Sequence, residues 1–249
     1  MSKRQEIRLR RQRERTRNRI LMILLVAAGA LLIAFAIILP GIQKATGNTA
    51  TTRTPIVAIT PKAINAPISG TSMGDPNAPV KMDVWEDFQC SGCTYYSTNL
   101  VPQIITAYIE TGQIYYTFHF MPFIDGGAGE SQQAANAAMC ANEQGRFWDY
   151  HDMLFANWTG ENVGDYADSR LVAYAEQLGL DMTGFKKCFE ANTYANQISQ
   201  DAQAGSEKGV PPTPGIFVNG QMVLNSQTKN LIPSFEDISK AIEAALAGQ

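Results

Sequence analysis

The chain of 249 residues is poor in the side chains that bind transition metals, with two histidines and four cysteines. A structural zinc site needs four such ligands, usually two Cys-x-x-Cys pairs or one pair with two nearby histidines. Only Cys90 and Cys93 have this spacing, whereas His119 and His151 lie far apart in the sequence. No nucleotide, flavin or metal motif is present either, so we expect no metal and no bound cofactor. Zinc binding at the cysteine pair is kept as an alternative.

Positive charge is scarce over most of the chain. Residues 1–19 contain nine Lys and Arg against two Glu, and the remainder contains eleven Lys and Arg against twenty-one Asp and Glu. Nucleic-acid binding needs clustered positive charge to neutralise phosphates, so the acidic body is not expected to bind nucleic acid. The basic segment taken alone would indicate a disordered arm.

Charged residues are absent from residues 20–39, ILMILLVAAGALLIAFAIIL. A helix of this length spans roughly 30 Å, the hydrocarbon thickness of a bilayer, and the polar stripe of a core helix is missing. A cleaved signal peptide is the alternative, but no clear cleavage site follows. We predict a transmembrane anchor that is retained. By the positive-inside rule, residues 1–19 form a cytoplasmic arm and the C-terminal body lies outside the cytoplasm.

Residues 40–75 are rich in Gly, Thr, Ala, Pro and Ser and show no sustained periodicity, which is typical of a flexible linker. No internal repeat is visible. Residues 76–249 are long enough for one sizeable domain. The sequence therefore predicts a single domain tethered to a membrane.

The body begins with a strand–helix–strand pattern. Residues 78–88 alternate apolar and polar side chains, residues 93–113 have an apolar helical stripe with Pro102 inside it, and residues 114–123 are β-favouring. This unit implies a parallel strand pair. A helical insertion follows at about 130–208, and then a hairpin and a last helix. The order predicts an α/β, thioredoxin-like fold with a helical insertion, preceded by one N-terminal transmembrane helix.

Cys90 and Cys93, in DFQCSGCTYY, fall at the predicted junction between the first strand and its helix. The free N–H groups and the positive dipole at a helix N-terminus favour a thiolate, so the pKa of Cys90 should be lowered. Cys93 follows one turn later, close enough to form a disulfide that exchanges with a substrate. Besides zinc, the alternative is two inert thiols. A structural bond over so short a loop would add little stability. We interpret the pair as a redox-active disulfide.

Three segments, DFQCSGCTYY, ANEQGRFWDYHDMLF and TPGIFVNG, together resemble the DsbA-like thiol–disulfide oxidoreductases of the thioredoxin superfamily. The resemblance covers residues 74–249. It implies disulfide donation outside the cytoplasm, with Cys90 as the exposed nucleophile and Cys93 as the buried resolving thiol. It also implies reduced or unfolded exported proteins as substrates and a quinone-linked membrane thiol oxidase as the recycling partner.

The dipeptide Thr213-Pro214 matches the cis-proline loop of this family, beside the active disulfide. A cis X-Pro bond makes a tight turn and exposes the preceding backbone to an extended peptide, so we expect these residues to bind substrate. A plain proline-rich loop is the alternative.

Two positions depart from the family pattern. The family often has an acid six residues before the first cysteine, where this chain has Val84. We expect Glu86 to serve as the proton relay instead, or Asp87, unless both are solvated. The dipeptide between the cysteines is Ser91-Gly92, where strongly oxidising members often have His, so we expect a less extreme oxidant.

Cys140 and Cys188 both fall in the predicted helical insertion. In an oxidising compartment two remaining cysteines commonly pair, so we predict a structural disulfide between them. The alternative is two buried free thiols. On a neighbouring predicted helix, we expect Trp148 and His151 to be core residues.

We interpret the chain as a membrane-anchored, extracytoplasmic protein-disulfide oxidoreductase that introduces disulfides into exported proteins at Cys90 and Cys93. A reductase or an isomerase is the alternative of the same class, and the redox potential of the pair would discriminate between them. A non-enzymatic binding module on a thioredoxin fold is the alternative of a different class. Thiols that stay inert after mild reduction would favour this module.

Overall fold

The computed structural model describes residues 55–125, 129–228 and 232–248. The predicted arm at 1–19 and anchor at 20–39 lie outside these residues, as does most of the first half of the predicted linker. Among the residues described, no helix is both long enough and apolar enough to cross a membrane. The arm and the anchor therefore stay predictions.

A mixed sheet forms the centre of the fold. Its strands, in chain order, are β1 (Ile68–Ser69), β2 (Ser72–Met73), β3 (Val80–Glu86), β4 (Ile114–Phe120), β5 (Gly215–Val218) and β6 (Gln221–Met222). The spatial order is β1-β2-β4-β3-β5-β6. Strands β3 and β4 are parallel, as the strand–helix–strand pattern predicts, and the other pairs are antiparallel. The strand that leads to the cysteine pair is therefore central in the sheet.

Residues 91–109 connect β3 to β4 as one helical stretch, named α1 here. Pro102 has no N–H for the regular hydrogen-bond ladder, and the turn before it is a wide π turn in which Val101 N–H bonds to the Tyr96 carbonyl. The helix thus accommodates Pro102, where a kink was expected, by widening the turn before it into a π turn. The α-helical parts are Ser91–Tyr95 and Val101–Ile104, and the π-helical parts are Tyr96–Leu100 and Ile105–Ile109.

The predicted insertion at about 130–208 consists of helices. They are α2 (Glu130–Asn142), α3 (Phe147–Ala156), α4 (Asp168–Gln177), α5 (Met182–Glu190) and α6 (Ala195–Glu207). The last helix, α7 (Phe235–Ala247), follows the hairpin and begins with a capping box between Ser234 and Asp237. The fold is a thioredoxin-like α/β fold with a helical insertion.

An aromatic cluster joins the sheet to α3. Phe118 of β4 makes edge-to-face contacts with Phe147, Trp148 and His151. Trp148 and His151 are buried, as predicted. Such pairs stabilise beyond their buried area, so α3 is held firmly beside the strands that position the cysteines.

The second half of the predicted linker is part of the domain, which corrects the prediction of a flexible coil over 40–75. Ile56 and Ile59 pack against the main core. The backbone N–H of Val57 donates to Asn157 Oδ1 at 2.7 Å, and Asn157 Nδ2 donates to the Val57 carbonyl at 3.0 Å. Strands β1 and β2 also belong to this segment. The apolar residues of this segment pack against an irregular surface formed by elements distant in the sequence. Their spacing therefore follows neither the helical nor the strand period, and the sequence pattern does not predict the contact.

Candidate active site

Cys90 and Cys93 lie where the chain leaves β3 and enters α1. Cys90 is the N-cap residue, with an extended backbone of φ −77° and ψ 124°, and Cys93 lies in the first turn. Both thiols are free. Cys90 is 8% exposed and Cys93 is 0% exposed, so both are buried and solvent reaches Cys90 alone. The expected exposed nucleophile is therefore exposed only relative to Cys93, because the cis-proline loop lies against it.

Hydrogen-bond donors surround the Cys90 sulfur. The Cys93 thiol lowers the pKa of Cys90 most, burial opposes this effect, and the backbone N–H groups of Cys93 and Gly92 lower the pKa further. Together they lower the pKa of Cys90 to about 6. The direction is the one expected at a helix N-terminus, although a neighbouring side chain contributes more than the backbone. At neutral pH the Cys90 sulfur is therefore mostly a thiolate.

Cys93 has the opposite environment. Burial raises the pKa of its thiol well above the usual value, and the adjacent Cys90 and Glu86 raise it further. Cys93 therefore holds its proton until a base removes it. The two thiols therefore differ in acidity, although only two residues separate them in the sequence.

The Thr213–Pro214 peptide bond is cis, and these two residues, the cis-proline loop, lie against the cysteine pair. The Cys90 thiol donates to the Thr213 carbonyl with a sulfur–oxygen distance of 3.2 Å. An added Cβ at Gly92 would lie 3.1 Å from Pro214 Cδ and 3.0 Å from Ile232 Cδ1. The glycine between the cysteines therefore allows α1 to approach this loop closely.

Glu86 is buried next to the cysteine pair, with 1% of its surface exposed. Its Oε2 accepts a hydrogen bond from Ser97 Oγ at 2.9 Å. Burial raises the pKa of Glu86 to about 8, and the negative charge of Cys90 contributes to the increase. Val84, at the position where the family often has its acid, is two residues earlier on the same face of β3. Compared with the family pattern, the carboxyl group therefore lies two residues further along β3 but on the same face of the strand.

Asp87, the other predicted acid, is also buried rather than solvated. Its Oδ1 accepts hydrogen bonds from Gln89 N at 2.8 Å and Ser131 Oγ at 2.7 Å. Its Oδ2 accepts from the backbone N–H groups of Phe123 and Ile124, both at 2.9 Å. Asp87 therefore fixes the loop after β4 and the start of α2 against the turn that leads to the cysteines.

Cys140 of α2 and Cys188 of α5 form a disulfide, with a sulfur–sulfur distance of 2.00 Å and a Cα–Cα distance of 5.7 Å. Both residues are buried within the helical insertion. The bond therefore links two helices of the insertion. The four cysteines of the chain are thus one bonded pair and one free pair.

Ser97 is a residue of this site that the sequence reasoning missed. It is the hydrogen-bond donor to Glu86, and it follows Cys93 by four residues on α1. Residues four apart on a helix share a face, so the spacing was a usable signal. Nothing in the sequence, however, indicates that Glu86 would be turned toward that face.

Residues 68–244 match the family described as "Thioredoxin". The "Probable disulfide bond formation protein D" of Bacillus cereus is 25% identical over 177 residues, which are 70% of this chain and 78% of that protein. A "Na(+)/H(+) antiporter NhaA 1" of Salinispora arenicola is 31% identical, but the chain spans only 24% of its length.

Two solved structures support the fold. BdbD of Bacillus subtilis has a TM-score of 0.63 at 22% identity, covering 78% of this chain and 100% of that one. DsbA of Chlamydia trachomatis has a TM-score of 0.60 at 22% identity, covering 79% and 99%. Because the family match covers most of the chain, including both free cysteines, the chain belongs to the thioredoxin superfamily, as a DsbA-like thiol–disulfide oxidoreductase.

Proposed function

We propose that this enzyme introduces disulfides into exported proteins. The observation that carries the proposal is the contrast between the two sulfurs, since the pKa of Cys90 is lowered to about 6 and that of Cys93 is raised. A stable Cys90 thiolate stabilises the reduced enzyme and so makes its disulfide oxidising. The value lies between about 7 for thioredoxin and about 3.5 for the strongest oxidants, which supports a moderate oxidant.

Substrate oxidation takes two exchange steps. A substrate thiolate attacks Cys90 of the Cys90–Cys93 disulfide, forms a mixed disulfide, and displaces Cys93 as a thiolate that takes a proton. A second substrate thiolate attacks the substrate sulfur of that mixed disulfide and displaces the Cys90 thiolate. The substrate gains a disulfide, and its two electrons stay on the two enzyme sulfurs.

Glu86 is proposed as the proton relay for Cys93. Because the pKa of Glu86 is about 8, its carboxyl group carries a proton at neutral pH and can protonate the departing Cys93 thiolate. When the enzyme is oxidised again, the resulting carboxylate accepts the proton that Cys93 must lose before it attacks. The buried acid thereby acts in both directions of the cycle.

The surroundings of Cys90 suit an unfolded protein. Tyr95, Phe123 and Val163 are exposed apolar side chains at 52%, 50% and 59%. The loops that hold Phe123 and Val163 are hydrogen-bonded to Gln89, the residue before Cys90. Apolar side chains of an unfolded substrate can contact these groups while its backbone pairs with the cis-proline loop, Thr213 and Pro214.

We place the catalytic domain outside the cytoplasm, held by the anchor at 20–39 with the arm at 1–19 inside. The charge-free span supports the anchor and the basic arm supports the orientation. The Cys140–Cys188 disulfide supports an oxidising compartment, because such bonds are rare in the cytosol. A quinone-linked membrane thiol oxidase is proposed to reoxidise the enzyme.

The function is tested by mixing the oxidised enzyme with a reduced, unfolded secreted protein that contains two cysteines. We expect loss of both substrate thiols and no reaction with Cys90→Ser. The redox potential of the Cys90–Cys93 couple should be more oxidising than the about −270 mV of thioredoxin. A potential at or below that value would favour a reductase. Thiols that stay inert after mild reduction would favour a binding module.

The topology is tested with protease added to spheroplasts that express the chain with an N-terminal tag. We expect digestion of the catalytic domain and protection of the tag. A soluble domain with a new N-terminus after Leu39 would show that the segment is a cleaved signal peptide.

A further inference from the structure

The proposed relay requires Glu86 to exchange protons with solvent in every cycle, yet its side chain is buried. The titratable groups that face it are Cys90, Cys93, Tyr96 and Tyr116. Both tyrosines are fully buried, and burial raises the pKa of each well above its usual value. Because both tyrosines are 0% exposed, their hydroxyls have no direct contact with solvent, and another route is needed.

We propose that Ser97 connects Glu86 to solvent through a water-filled cavity between α1, α3 and residues 59–64, and that this is the proton path of the enzyme. The inference rests on the proposed function. The Ser97 hydroxyl donates to Glu86 Oε2 at 2.9 Å, and Ser97 also lines the cavity. The volume is about 310 Å³, enough for several waters. Thr60, Lys62 and Thr98 line its exposed side, so it reaches the surface.

Polar and charged side chains occur among the mostly apolar residues that line this cavity. They include Ser97 at its buried end and Asp152 at its exposed end, and because the cavity opens to the surface, water can enter it. His151 Nδ1 lies 2.9 Å from Asp152 Oδ1, and the Asp152 side chain is 44% exposed. A charged side chain therefore lines the cavity where it meets the surface.

The path moves one proton and no electrons. During reoxidation the Cys93 thiol gives its proton to the Glu86 carboxylate. Glu86 then protonates the Ser97 oxygen while Ser97 gives its own proton to water in the cavity, which is feasible because a hydroxyl both donates and accepts. During substrate oxidation the same steps run in reverse and bring a proton to the Cys93 thiolate. Ser97 is thus a positioning residue that acts through Glu86.

The test follows the attack of Cys93 on a mixed disulfide that joins Cys90 to a chromophoric aromatic thiol, by stopped flow across pH and at two imidazole concentrations. We expect Ser97→Ala to slow release of the thiol by tenfold or more, as loss of a proton-transfer partner does. The rate in this variant should rise with imidazole concentration, whereas the wild-type rate should not. Ser97→Thr keeps the hydroxyl, and the cavity accommodates its methyl group, so its rate should stay close to wild type.

A second variant tests the cavity without touching Glu86. Ala156 lines the cavity from α3. Ala156→Phe should fill the space and slow the same step, while the rate of Cys90 alkylation in this variant stays unchanged. Rates equal to wild type in both Ser97→Ala and Ala156→Phe would overturn the path. A wild-type enzyme that forms no mixed disulfide would instead overturn the proposed function itself.

Discussion

With Glu86 replaced by Gln, the reduced enzyme is predicted to become increasingly more stable than the reduced wild type as the pH rises. This is expected although the change removes a group proposed to take part in the reaction. Glu86 is buried, and its Oε2 accepts a hydrogen bond from Ser97 Oγ at 2.9 Å. Glutamine has the shape of the protonated acid and can accept the same hydrogen bond. It does not titrate, so the variant isolates the effect of the buried charge.

The magnitude follows from proton linkage. Burial raises the pKa of Glu86 from 4.5 to about 8, so the folded state binds more protons than the unfolded state between these values. Wild-type stability should therefore fall by up to about 1.4 kcal/mol per pH unit in this window from this group. Relative to wild type, Glu86→Gln should gain about 3 kcal/mol between pH 4.5 and pH 7. An unpaired amide N–H in the variant would shift the whole curve without changing this slope.

The assay is urea denaturation of both proteins at several pH values from 4.5 to 8, with Cys90 and Cys93 reduced and the Cys140–Cys188 bond verified as intact. Glu190→Gln is the matched control, because it makes the same chemical change at an exposed side chain, at the end of α5. We expect the control curve to run parallel to wild type. If the Glu86→Gln curve also runs parallel to wild type, Glu86 has an ordinary pKa and is no relay.

Three further predictions concern other parts of the domain. The double variant Cys140→Ala/Cys188→Ala should lose up to about 4 kcal/mol of stability, because the bond closes a loop between cysteines 48 residues apart. It should keep thiol exchange; a melting curve tests the loss of stability and the thiol assay tests the activity. Cys93→Ala should raise the pKa of Cys90 above about 6, because the side-chain donor with the largest effect is lost, and an unchanged thiolate titration would refute this. Burial opposes the charge of His119, but Asp201 and Asp83 outweigh it and raise its pKa to about 9. Its stabilisation should be full below pH 6.5 and disappear through pH 9, so His119→Gln should lower the melting temperature at pH 6 but not above pH 9.

Local patterns predicted the elements that depend on local rules. Strand β3, the hairpin and the last helix were predicted because their signals lie in neighbouring residues. In the structure, Asn219 and Gly220 of the hairpin turn both have positive φ, and the last helix begins with the Ser234/Asp237 capping box. The docking of residues 56–59 was not predictable, because Ile56 and Ile59 find their partners on surfaces assembled from distant parts of the chain.

The same division applies to the active site. The cysteine pair and the Thr213-Pro214 dipeptide could be found from spacing and resemblance. The role of Glu86 could not be decided, since its burial depends on how α1 packs against β3. His119 likewise interacts with Asp201, which lies 82 residues away on α6, so no sequence pattern links the two.

The central claim is that Cys90 is the reactive thiolate and Cys93 the protected thiol, and the pH dependence of alkylation tests it most directly. The reduced protein is treated with an alkylating reagent at a series of pH values, and each cysteine is quantified by peptide mass. We predict that Cys90 reacts with an apparent pKa near 6, while Cys93 stays unmodified until far higher pH. Faster modification of Cys93, or titration of Cys90 near the ordinary thiol value of 9.0, would contradict the account.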